Sequence, residues 1–415
     1  MSEELHPESL RYIASSSLEY RVRVGQFFTP RSLREEVLSK IPRSVQPRVL
    51  DPACGTGEFL LSARDYFINP ELHCWEIDPK PAEVASRVVP EARVEVVDSL
   101  TKPFKEEFDV VVTNPPYFEF NPDEKLRARF KEILYGRVNV YSLFVYLALK
   151  LVKAGGYVGL VVSSSMNNGA YFKKLREFVV KTASIEYLRV VEDSHIFPEV
   201  NHVFQVLVLR KYLPGEQIRE NYVLRYRGFT VLSEKAGELT KLLENSLTLE
   251  DLGYEVVTGR VVWNEHRDKL TRDSESGILL IWSHNIKSGK LVLDNKPERP
   301  QYVKWPLEKA FRGPAIVVTR VVGHPKRANL EAALVPDGVV FVAENHVNVV
   351  IPPKDAVVDE LREIVEWLNS EKAQSIVRAL TGNTQLSKSE LKHLIPIPID
   401  KPIGRTARNP GKHVC

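Results

Sequence analysis

Four short apolar runs alternate with helix-like stretches in the first third of the chain, and each ends on a polar or glycine-rich turn. They are Arg48-Val49-Leu50, Leu72–Glu76, Arg93–Val97 and Phe108–Thr113. A strand–helix–strand repeat buries both faces of its strands only as a parallel sheet covered by helices. The turns at the strands' carboxyl ends then gather on one edge, which is where open α/β sheets bind ligands. Further runs at Tyr157–Val162, Ile185–Val191 and Val203–Arg210 bring the count to seven strands. Helices are predicted over about residues 3–20, 30–40, 58–67, 138–152 and 171–181. The first is followed by a loop, and Thr29 is the expected N-cap of the second, with Pro30 at its first position.

The turns differ in chemistry. The first, Asp51-Pro52-Ala53-Cys54-Gly55-Thr56-Gly57, lets the backbone bend tightly and approach a ligand closely. It lacks the third glycine of a dinucleotide fingerprint and the lysine of a P-loop, so a pyrophosphate is a poor guess. Glu76 follows about 20 residues on, where doubly wound folds place the carboxylate that takes ribose hydroxyls. Asp98 ends the third run and could accept from an adenine amino group. The fourth run leads into Asn114-Pro115-Pro116-Tyr117. Two prolines fix two φ angles and remove two donors, which leaves a stiff loop. It offers an amide oxygen, carbonyls and an aromatic ring, a receptor for a planar –NH2 group with Tyr117 stacked on the ring that bears it. An isolated Asn-Pro-Pro-Tyr equally serves as a proline-rich turn capping a strand.

Composition bounds the remaining choices. No apolar run approaches the roughly 18 residues of a membrane span, and the acidic start is no signal peptide, so a cytoplasmic protein is expected. Cys54, Cys74 and Cys415 lack paired or metal-like spacing, so neither a disulfide framework nor a metal site is expected. The net charge is only +3, so a nucleic-acid surface would be a local patch. The basic run Lys125, Arg127, Arg129, Lys131 reads mainly as a solvated helix face.

Tyr212-Leu213-Pro214-Gly215-Glu216 reads as a linker. Beyond it the regular alternation is lost, and a second, α+β domain is expected. Its loops, including Thr258-Gly259-Arg260, Gly323–Arg327 and Glu344-Asn345-His346, offer Arg, Lys, Asn and His, which suit groove readout and equally suit any surface. The tail from Lys401 is basic and expected to be flexible.

The ordered set Phe28-Thr29-Pro30, Asp51–Gly57, Asn114–Tyr117 and a large C-terminal half resembles the gamma group of DNA adenine amino-methyltransferases, of the TaqI type. The likeness is dense over about residues 25–210 and diffuse beyond. It implies a Rossmann-like, seven-stranded S-adenosylmethionine-dependent methyltransferase domain over residues 1–213. A target recognition domain over 216–400 and a tail over 401–415 would follow. It further implies that Phe28, Thr29, Asp51, Ala53, Gly55, Gly57, Glu76, Ile77 and Asp98 line the cofactor site. Asn114 and Pro115 would hold the target amino group, with Tyr117 and Phe197 sandwiching the base; judged alone, Phe197 is more often a core residue. Double-stranded DNA would be the substrate of a self-contained monomer, with a separate endonuclease as a partner in a restriction–modification system. Methyltransferases of protein glutamine or of RNA use related loops, and a non-catalytic DNA-binding module is a further alternative. The first of these are shorter and lack the early Phe-Thr-Pro loop.

Overall fold

The computed structural model describes residues 4–191, 203–294, 296, 298–320, 330–381 and 386–398. Phe197, Cys415, residues 323–327 and the tail lie outside them. The chain divides into two units, residues 1–225 with 229–237, and residues 226–228 with 238–415. The division falls later than the expected linker at 212–216. Val223 and Leu232 are buried in the core of the first unit, and buried Arg176 donates from Nε to the Thr230 carbonyl at 2.7 Å. Those contacts hold residues up to about 237 on the first unit.

The first unit is built on a seven-stranded sheet. Its strands are β1 (Arg48–Asp51), β2 (Glu71–Glu76), β3 (Arg93–Val96), β4 (Phe108–Thr113), β5 (Val152–Ser163), β6 (Ala183–Val191) and β7 (Phe204–Lys211). Their order is β3-β2-β1-β4-β5-β7-β6. β1 to β5 pair in parallel, with Val49 beside Val110 and Val111 beside Val158, and β7 runs antiparallel to both its neighbours. The predicted α/β sheet is therefore present, with all seven strands close to their expected positions. The order reverses direction at β1, so the turns after β1 and β4 flank the switch point where such sheets open a crevice.

The helices are α1 (Pro7–Ser15), α2 (Leu18–Val24), α3 (Arg31–Ser39), α4 (Glu58–Tyr66), α5 (Pro79–Val88), α6 (Glu124–Arg129), α7 (Val140–Leu151) and α8 (Lys173–Thr182). α7 is apolar on all sides, and every residue of it except Lys150 is buried, as expected for a helix lying wholly inside the core. The single helix expected over 3–20 is broken in two, because the Ser17 side chain accepts from the Tyr20 N–H and starts α2. Thr29 is not the cap of α3. Pro30 occupies that position with no side-chain bond. The first free N–H groups go instead to Glu4: Arg31 N to its carbonyl at 3.2 Å and Ser32 N to its carboxylate at 3.1 Å.

Cys54 and Cys74 form a disulfide, contrary to the sequence expectation. They are 20 residues apart in sequence with Cα atoms 5.4 Å apart. Parallel pairing of β1 with β2 sets Asp51 beside Cys74, and the Cys54 N–H bonds the Trp75 carbonyl at 3.1 Å. Sheet register, which spacing does not reveal, brings the two thiols together.

The second unit has the mixed character expected. A four-stranded antiparallel sheet joins Glu255–Thr258, Val347–Ile351, Ala315–Thr319 and Ala332–Val335, in that order. A five-stranded sheet contains Ile278–Ile281 and Val340–Ala343, which pair in parallel. Helices Val358–Leu368, Glu371–Thr381 and Lys388–His393 follow. Among the described residues no helix is long and apolar enough to cross a membrane, and no cluster of potential metal ligands is found.

Candidate active site

A cleft of about 480 Å³ opens along the carboxyl edge of the sheet in the first unit. The residues singled out in the sequence that line it come from five separate segments. Phe28 and Thr29 precede α3. Asp51 ends β1 and Ala53 and Gly55 come after it, Glu76 ends β2 and Ile77 comes after it, and Asp98 follows β3. Asn114 follows β4. All but a few of the residues singled out in the sequence therefore share one wall-to-wall cavity.

The β1 turn is shaped by its backbone. Gly55 and Gly57 have positive φ, +53° and +85°, a region that disfavours side chains. Gly57 does not line the cleft; it caps α4, and a Cβ there would press on Ala85 at 3.3 Å. Gly55 donates its N–H to Glu76 Oε2 at 2.8 Å, and Asp78 donates to Oε1 at 3.0 Å. Glu76 is thus held from both sides with lone pairs to spare. Burial raises its pKa, and those N–H groups hold it back. Asp51 is 2% exposed and accepts from the Ala53 N–H at 3.0 Å. Desolvation pushes its carboxyl up to about 7, against the pull of the Ala53 N–H and the Thr113 hydroxyl and with a further push from Glu76. Asp98 caps the following turn, accepting from the Leu100 N–H at 3.0 Å.

The Asn114 carboxamide is fixed in orientation. Its Nδ2 donates to the Phe27 carbonyl at 2.9 Å, so the oxygen lies on the other side. That oxygen accepts from the Tyr117 hydroxyl at 2.7 Å and retains a second lone pair. Pro115 is buried, and no described residue donates to its carbonyl; Pro116 lines the cleft.

The ring of Tyr117 departs from expectation. It is 8% exposed, meets Phe204 edge-on at 5.1 Å, and its hydroxyl also reaches the Val161 carbonyl. Neither face is offered to the cleft, because the ring packs near Phe27, Tyr141 and Phe204 and its hydroxyl is hydrogen-bonded inside. In this conformation Tyr117 orients Asn114 and is not an open stacking platform. The aromatic side chains that do line the cleft include Phe118, Phe120 and Phe144. The sequence reading passed over them. Phe118 and Phe120 continue the Asn-Pro-Pro-Tyr loop, which is a signal of position, whereas Phe144 is indistinguishable from its neighbours in α7. The basic run contributes little here. Arg127 donates to the Pro122 carbonyl, and Arg129 stacks on Phe104 with 3.7 Å from guanidinium carbon to ring centre.

Residues 61–197 match the family model described as Eco57I restriction-modification methylase. The matched stretch contains β2 to β6 and, with them, Glu76, Asp98 and the whole Asn114–Tyr117 loop. The matched stretch lies within the first unit. The loops Phe28-Thr29-Pro30, Asp51–Gly57 and Asn114–Tyr117, on which the resemblance to the gamma group rests, all belong to the first unit. Similarity to relatives extends past the methylase domain. The Type II methyltransferase M.CvrRI of Paramecium bursaria Chlorella virus XZ-6E is 24% identical over 93% of this chain and 97% of its own. M.TthHB8I of Thermus thermophilus is 26% identical over 91% and 90%. Among solved structures, the methyltransferase subunit of a type I restriction–modification system from Streptococcus thermophilus is 17% identical. It has a TM-score of 0.41 over 53% of each chain.

Proposed function

We propose that the chain is a site-specific DNA adenine methyltransferase that uses S-adenosylmethionine and acts on the exocyclic amino group of a flipped adenine in duplex DNA. The observation that carries this reading is the Asn114 carboxamide, locked through Nδ2 so that its oxygen is an acceptor in the same cleft as Glu76. A fixed acceptor there has no use for an anion or a carbonyl substrate. It fits an –NH2 group.

The cleft residues suit the cofactor. Asp51 is a buried carboxyl with its pKa raised to about 7, and no described Lys or Arg pairs with it. A positively charged ligand would complete it. Glu76 retains lone pairs for ribose hydroxyls, and the Ile77 side chain, 66% exposed, offers an apolar face for a purine. S-adenosylmethionine supplies a methyl group already activated by its sulfonium.

The chain's own task is alignment. Asn114 Oδ1 and the Pro115 carbonyl would each accept one hydrogen of the target amine. Two acceptors draw electron density to the nitrogen and hold its lone pair off the plane of the base. Orientation of this kind can supply up to ~7–11 kcal/mol of a barrier. No covalent nucleophile is required, and the Cys54 and Cys74 sulfurs are bonded to each other. An adenine paired in a duplex cannot enter such a cleft, so it must leave the stack, at a cost of a few kcal/mol. Phe197 would return roughly 1–3 kcal/mol by stacking on the base. A self-contained monomer working beside a separate endonuclease fits the long second unit.

The test is Asn114→Ala. Methyl transfer to duplex DNA is expected to fall at least ~10³-fold in single-turnover assays, while cofactor affinity in calorimetry stays within a few-fold. Transfer at the wild-type rate would refute the role. Incorporation into RNA or a glutamine side chain, with none into DNA, would refute the substrate.

A further inference from the structure

Residues that the sequence leaves scattered, Gly259, Arg320 and the turn 344–346, meet at one edge of the four-stranded sheet in the second unit. Strands Glu255–Thr258 and Ala315–Thr319 flank Val347–Ile351 on either side and run antiparallel to it. Their carboxyl ends therefore lie beside the turn Glu344-Asn345-His346 that feeds the central strand. Backbone bonds tie the loops together. Gly259 N reaches the Val347 carbonyl at 2.8 Å, Asn345 N the Val261 carbonyl at 3.0 Å, and Arg320 N the His346 carbonyl at 2.8 Å. A Cβ on Gly259 would stand 2.1 Å from the Glu344 carbonyl, so only glycine permits this approach. The result is a stiff polar corner.

Its side chains are arranged for use on an outside partner. Glu344 is 3% exposed, yet it accepts from the His346 N–H at 3.0 Å and from the imidazole Nδ1 of His346, whose own side chain is 45% exposed. A buried carboxylate that fixes an exposed ring spends stability on orientation. It orients Nδ1 inward and leaves Nε2 for an outside partner. Asn345 Oδ1 and Arg320 Nε are shielded from solvent and have no hydrogen-bond partner among the described residues. Polar atoms in that state are normally bonded. Arg320 Nη1 leans on the Asn345 carbonyl at 3.4 Å. Arg260, at the end of the adjoining loop, is exposed, and no carboxylate among the described residues pairs with it.

We propose that His346 reads base edges in duplex DNA, that Asn345 and Arg320 hold its turn in place, and that Arg260 anchors a neighbouring phosphate. The proposal rests on the DNA reading above and assigns its sequence specificity to this corner. The exposed Nε2 of a neutral imidazole accepts from the exocyclic amine of adenine or cytosine. A guanidinium on a phosphate adds affinity without sequence information.

The experiment offers a randomised duplex library and S-adenosylmethionine to the full chain, and the methylated positions are sequenced. Wild type defines the preferred site. His346→Ala is expected to lose ~10-fold or more in discrimination at one or two base pairs of that site and to keep it elsewhere. Arg260→Ala is expected to weaken binding equally for all sequences and to reduce the salt slope by about one. Thermal unfolding identifies any variant that fails to fold, and His346→Gln, which keeps a planar polar group at an exposed position, then takes its place. Wild-type discrimination at every position in a folded His346 variant would overturn the proposal. Wild type that methylates RNA or protein and no DNA would instead remove the reading beneath it.

Discussion

Asp51 is a buried carboxyl with no Lys or Arg paired to it among the described residues. Its carboxyl is buried, and desolvation raises its pKa from the ordinary carboxylate range to about 7. The folded protein therefore holds this proton more tightly than the unfolded chain does. Its contribution favours folding below about pH 4, is lost as pH rises towards 7, and is absent above. Asp51→Asn is expected to raise the ligand-free unfolding temperature at pH 8, with the gain shrinking as pH falls to 5. A cationic ligand reverses the preference, because it needs the ionised form. Wild-type affinity for S-adenosylmethionine should fall as pH drops through about 7, and the Asn variant should bind weakly with a flat profile. Calorimetric titration between pH 6 and 8 checks both, and a flat wild-type profile would contradict the role. The place of Asp51 at a strand end on the cleft was legible from its turn. Its protonation was not, since that depends on how deeply the turn is buried.

Gly25 shows how one element sets another. It ends α2 in the left-handed region, with φ at +68°, and its backbone presses on the target loop. A Cβ there would fall 2.4 Å from the Tyr117 backbone nitrogen. The next segment supplies the Phe27 carbonyl that holds Asn114. The early loop is therefore a support for the Asn-Pro-Pro-Tyr loop as well as a wall of the cleft. Gly25→Ala is expected to cost about 1–3 kcal/mol of stability through strain and overpacking. It should also slow methyl transfer more than it weakens cofactor binding. Denaturant unfolding and single-turnover rates measured together would check this. Equal stability and an unchanged rate would show that the two loops do not depend on each other.

At the scale of the whole molecule the charge is nearly balanced, with 57 Lys and Arg against 54 Asp and Glu. Many cations are already spoken for, as with buried Arg34 on Glu58 at 2.8 Å and Arg189 on Glu36 at 2.5 Å. DNA affinity must then come from a few unpaired groups. Log affinity for duplex DNA is expected to fall linearly with log salt, with a slope that reflects a handful of phosphate contacts. Cofactor affinity should barely respond to salt over the same range. Fluorescence anisotropy at several salt concentrations measures the slope, and salt-independent DNA binding would count against an electrostatic footprint of this kind.

The sequence by itself determined the seven-strand alternation, the polar turns at the strand ends and the order of the motif loops. These are local properties: apolar runs, glycine and proline positions, and spacing along the chain. Tertiary structure alone decided which distant groups became neighbours. It turned the Tyr117 ring inward onto Phe204, joined Cys54 to Cys74, gave the first free N–H groups of α3 to Glu4, and brought residues 259, 320 and 345 to one corner. The physical reason is that strand register and packing fix contacts between residues far apart in the chain, and no local pattern encodes them.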